Sequence, residues 1–141
     1  MKIREFDQLC KKLMTITSAA AYCRAAQDDQ AVNRLSDASG LNLVCVMPMR
    51  GFSGKLDAVK RHYTFTVYAL EKDDDGQSFE SELDQYERTE EAILKIFDYL
   101  TGEDSVVTCV PYPDININGI TIDPEYRTFG GWNGFSLTVS V

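Results

Sequence analysis

Two stretches of strict alternation constrain this chain most. Phe135, Leu137, Val139 and Val141 alternate with Ser136, Thr138 and Ser140, and Tyr63, Phe65, Val67 and Ala69 alternate with Thr64, Thr66 and Tyr68. A period of two puts one side chain in two on the same face, so both read as half-buried β-strands of a sheet whose apolar face must be covered. A strand at the C-terminal end is expected to leave one backbone edge open. Unpaired N–H and C=O groups template an added strand, which favours assembly over catalysis.

The cover is legible as helices. Phe6, Leu9, Cys10, Leu13 and Met14 recur at helical spacing and predict an amphipathic helix over residues 4–16, with a continuation through the alanine-rich stretch from Ala19 to Ala26. The polar stretch 27–40 reads as a loop, and Leu41–Met47 and His62–Leu70 as two strands joined by a long hairpin arm. Thr89 is a candidate cap for a helix with Glu90 and Glu91 in its first turn, an inner face of Ile93, Leu94, Ile96, Phe97 and Leu100, and Gly102 as its stop. Val106–Val110 reads as a further strand closed by Pro111 and Pro113. Asn118-Gly119, flanked by isoleucines, predicts a type I′ hairpin turn. The last strand is placed at Gly134–Val141. This order predicts one α+β domain over residues 1–141, a mainly antiparallel sheet of four or more strands with two helices packed on it.

Charge is distributed unevenly. Of 22 acids, ten lie in residues 71–91 beside only Lys72 and Arg88, which leaves twelve acids and twelve bases in the rest of the chain. With no broad basic face, specific nucleic-acid binding is not expected. Within that neutral remainder, the arm from Arg50 to His62 carries Arg50, Lys55, Lys60 and Arg61 against Asp57 alone. The four cysteines lie far apart without companion histidines, so no zinc or iron–sulfur site is expected. Cys10, Cys45 and Cys109 read as reduced core residues. Charge returns within a few residues of Met1, and no run of about 18 apolar residues occurs, so synthesis in a reducing cytoplasm and no membrane span are expected.

No motif defines a reaction. Glu71-x-Asp73-x-Asp75-Gly76 with Glu82 at the twelfth position approaches a calcium loop, but a strand-like segment precedes it where an EF-hand needs a helix. Gly51-Phe52-Ser53-Gly54-Lys55 lacks the residues of a phosphate loop or a nucleophile elbow and reads as a glycine-hinged arm. His62 is the single histidine and reads as a surface residue beside Lys60 and Arg61. Trp132, between Gly131 and Asn133, is a candidate partner anchor or a core residue at a strand entrance. No cofactor is implied.

Three segments carry a resemblance: Tyr68-Ala69-Leu70 at a strand end, the run Arg88–Leu100, and Gly130-Gly131-Trp132-Asn133-Gly134 leading into Phe135–Val139. Over about residues 41–141 the chain resembles the tail-terminator or tail-completion (neck) proteins of tailed bacteriophages, in particular those of phages and prophages of Bacteroides-type hosts. The resemblance implies a non-enzymatic virion component, a ring between head connector and tail or a cap on the tail tube. It also implies contacts with other phage neck and tail proteins, and DNA passing through the ring. Arg50, Lys55, Lys60 and Arg61 would then meet acidic surface on a neighbouring subunit or on the next ring, with Asp73, Asp74 and Asp75 the candidate acids and Trp132 a candidate anchor. Two further classes compete with the ring: an adaptor that captures a peptide on its C-terminal edge strand, and a small hydrolase or calcium-dependent protein using the acidic run.

Overall fold

The computed structural model describes residues 1–103 and 112–141. The predicted strand Val106–Val110, with Cys109 and Pro111, lies outside the described residues. The fold is α+β, with four helices and five strands in the order α1 (Ile3–Thr17), β1 (Ala21–Ala25), α2 (Asp28–Leu35), β2 (Asn42–Lys55), β3 (Ala58–Lys72), α3 (Phe79–Thr101), β4 (Thr121–Arg127), α4 (Thr128–Gly131) and β5 (Trp132–Ser140). The sheet runs β1-β2-β3-β5-β4. Among the described residues only the β1–β2 pair is parallel.

The alternation of β2, β3 and β5 sorts side chains to two faces. On one, Leu43, Cys45, Phe65, Val67, Leu137 and Val139 pack under α1 and α3. Phe6 of α1 meets Phe65 edge to face, with ring centroids 5.7 Å apart. Complete burial of such a side chain contributes about 1.5–3 kcal/mol. On the other face, Val44, Leu70 and Trp132 gather with Ala31 and Leu35 of α2 and Phe129 of α4.

Several elements depart from the sequence-based expectation. The first helix does not run on through the alanines: it stops at Ser18, which takes a left-handed conformation (φ 56°) while the Ala19 N–H reaches back to the Met14 carbonyl. A serine in this role hides the stop that glycine would announce. The alanine-rich segment then becomes β1, held by its parallel ladder to β2. The stretch read as a loop contains α2, whose buried positions are only Ala31 and Leu35, too few to show a helical period. Helix α3 starts ten residues before Thr89, at a Ser78 cap that accepts the Ser81 N–H at 3.1 Å. Its buried positions in that added stretch are Gln85 and Thr89, both polar, so no apolar stripe marks it. Its C-terminal end at Gly102 (φ 77°) is as expected. Leu94, placed on the inner face, is exposed.

The Asn-Gly pair does not form a hairpin. Asn118 and Gly119 sit in a 3₁₀ turn (Ile117–Gly119) that donates the Gly119 N–H to the Asn116 carbonyl at 3.0 Å. The isoleucines on either side are not cross-strand partners, because β4 pairs with β5 instead. That pairing also overturns the open edge expected at the C-terminal strand. β5 lies between β3 and β4, and among the described residues the edge strands are β1 and β4. Pro124 lies in β4, where an edge tolerates a missing donor.

Candidate functional site

Strands β2 and β3 outrun the rest of the sheet. β5 pairs with β3 only from Lys72 to Thr64, and Val141 closes the ladder with two hydrogen bonds to Tyr63. Beyond that point β2 and β3 continue alone, paired from Arg50↔Tyr63 to Lys55↔Ala58 around a two-residue tip, Leu56-Asp57. Residues 49–62 are all exposed. The predicted arm is therefore a regular two-stranded ribbon continuous with the sheet.

Residues opposite one another on antiparallel strands share a face, so the register sorts the arm's side chains. Arg50, Phe52, Val59, Arg61 and Tyr63 continue the α1/α3 face, while Ser53, Lys55, Lys60 and His62 continue the other. A bulge decides this. The register shifts between Val46 and Met49, where Pro48 supplies no ladder N–H, and one extra residue reverses which side the rest of β2 presents. The four bases expected to act together thus divide into an arginine pair beside apolar groups and a lysine pair beside polar ones. Phe52 is 67 % exposed and the tip residue Leu56 fully so.

On the lysine face, the Ser53 hydroxyl and His62 Nε2 share a hydrogen bond. The ring's other nitrogen has no partner among the described residues.

The acidic run is partly consumed inside the molecule. Arg127 donates to Asp73 at 2.9 Å and to Asp75 at 3.3 Å across an open cleft of about 470 Å³. The bond to Asp73 raises the Arg127 pKa above its usual range. Glu71 is held by Arg88 at 3.0 Å. The calcium-like spacing therefore offers Glu71, Asp73 and Asp75 to arginines, and strand β3 leads into it. Asp74 is exposed. Of the other acids, Glu82 is half-buried, and Glu80, Asp84, Glu87, Glu90 and Glu91 lie on the exposed side of α3. There Glu80, Asp84 and Glu87 form no ion pair among the described residues, and Phe79 and Leu83 lie next to them. Trp132 is 2 % exposed and packs in the second core cluster, which removes it as a surface anchor.

No protein-family model, characterised protein or solved structure matches the chain.

The outer side of α3 is the part of this surface that sequence reasoning missed. The signal was present: Phe79 and Leu83 lie one turn apart, with acids at 80, 84 and 87. It was hidden by placing the helix start at Thr89.

Proposed function

We propose that this chain is a non-enzymatic virion subunit of a tailed bacteriophage that forms or joins a ring at the neck or tail. The observation that carries the reading is the arm, a ribbon with exposed aromatic, aliphatic and basic side chains that extends past the β3–β5 ladder. Monomeric proteins seldom present such surface without a partner for it. An acidic surface on the same chain supplies a complement, and a patch that meets a different patch on its neighbour generates a ring when the rotation closes. The resemblance to tail-terminator and neck proteins supplies the biological setting. In a closed ring, acids left facing the channel would repel DNA and let it slide.

The adaptor reading loses its feature, because β5 is paired on both sides. Light scattering on the purified chain at low and at physiological salt tests the proposal. A discrete oligomer that loosens with salt is expected. A monomer under every condition overturns self-assembly.

A further inference from the structure

We propose that the helix-side face of the arm seats on the outer side of α3 of a second copy of this chain. The inference rests on the self-assembly reading above and names the two surfaces that meet.

The arm's two faces are not equivalent. The side bearing Phe52, Val59 and Tyr63 extends the sheet face that α1 and α3 cover elsewhere, but among the described residues no helix reaches it. It is core surface without a lid, and Arg50 and Arg61 stand within it. Arginine stacks on aromatic groups and forks onto carboxylates, which suits it to the centre of an interface. The lysine face carries no large apolar group between Gly51 and Lys55.

The outer side of α3 is the complement in charge and in apolar content. Phe79, 79 % exposed, and Leu83, 53 % exposed, stand one turn apart and form an apolar row. Glu80, Asp84 and Glu87 form a parallel acidic row at i, i+4 and i+7. The four steps from Val59 to Tyr63 span about 13 Å at ~3.3 Å each, and the eight steps from Phe79 to Glu87 span about 12 Å at ~1.5 Å each. On the arm Arg50 stands opposite Tyr63 and Arg61 opposite Phe52, so each arginine can face an acid while the aromatic group beside it meets Phe79 or Leu83. Asp73, held by Arg127 at 2.9 Å with its side chain 9 % exposed, is excluded as a receiver, whereas Asp75 is exposed and shares only one contact with Arg127. The contact is heterologous, so each copy both gives an arm and receives one.

Charge reversal tests the pairing, with oligomer mass read by sedimentation velocity and folding checked by circular dichroism. Arg50→Glu with Arg61→Glu, and separately Glu80→Lys with Asp84→Lys and Glu87→Lys, are each expected to shift the wild-type oligomer to monomer. The two sets combined in one chain are expected to restore it. Lys55→Glu with Lys60→Glu is expected to leave the oligomer in place. An oligomer that survives reversal of the α3 acids, or that the combined variant fails to restore, overturns this pairing and leaves self-assembly standing. A wild-type chain that is monomeric at every concentration overturns both.

Discussion

Asn133, fully buried at the start of β5, donates its side-chain amide to Gln85 Oε1 on α3 at 3.1 Å, across 48 residues of sequence. Gln85 in turn donates to the Lys72 carbonyl at the end of β3 (2.8 Å), and Asn133 Oδ1 accepts the Arg127 N–H (2.8 Å). Two amide side chains therefore tie α3 to both central strands and to the turn that carries Arg127. That turn is strained: Arg127 and Phe129 both take left-handed conformations with φ of 51°. Burial of Phe129 against Tyr68, with centroids 4.9 Å apart, offsets the strain.

Replacing Gln85 or Asn133 by alanine leaves buried donors and acceptors unpaired. Each substitution is expected to destabilise the fold by about 1–3 kcal/mol, read as a lower urea midpoint. A change within error would mean that water satisfies these groups.

At Gly134, β5 leaves no room for a side chain. A Cβ there would stand 2.1 Å from the Ala69 carbonyl oxygen and 3.1 Å from the Thr89 Cβ. Gly134→Ala is expected to cost about 3 kcal/mol or more, because both neighbours belong to packed elements that cannot withdraw. A melting temperature equal to wild type would show that β5 can shift.

Asp7 couples α1 to β1. Its carboxylate takes Lys11 at 3.0 Å, the Tyr22 hydroxyl at 3.0 Å and Arg24 at 3.2 Å. The hydrogen bond from Lys11, then that from Tyr22, hold its pKa below the ordinary value. A carboxyl depressed in the folded state stabilises fully above its unfolded pKa, near about 4, and loses that contribution as pH falls through the folded value. Asp7→Asn is expected to lower the melting temperature at neutral pH, with the gap to wild type closing below about pH 4. A gap independent of pH would assign the effect to packing.

The thiols should differ in access. Cys10 and Cys45 are buried together, and the contact with Cys10, followed by burial, pushes the Cys45 thiol well above its usual pKa. Cys23 is half-buried, and burial raises its pKa as well. Alkylation of the native protein followed by mass spectrometry is expected to find Cys10 and Cys45 unmodified until denaturant is added, with Cys23 labelled slowly. Rapid native labelling of Cys45 would contradict the packing of α1 on β2.

The elements legible in the sequence share one property: their apolar period shows within the element itself. α1, β3, β5 and the C-terminal half of α3 present a full stripe or a strict alternation, and so does the contrast between a basic arm and an acidic run. The elements missed are those whose burial is polar or sparse. α2 buries two residues, and the first half of α3 buries Gln85 and Thr89. Thr89 looked like a cap because its hydroxyl suits that role, but it bonds back to the Gln85 carbonyl at 2.9 Å and faces Gly134.

The sequence by itself determined the α+β class, the two central strands, the helices that cover them and the existence of a charged arm. These follow from local periodicity and composition, which need no knowledge of partners. Tertiary structure decided the rest: that β5 lies inside the sheet, that Asn118-Gly119 makes no hairpin, that Arg127 captures Asp73, and that Trp132 is core. It also decided which bases share a face with Phe52, since one bulge residue near Pro48 reverses the alternation of everything after it. The physical reason is common to all of these. Hydrogen-bond partners and burial are set between segments distant in sequence, and a pattern within one segment cannot say which other segment will meet it.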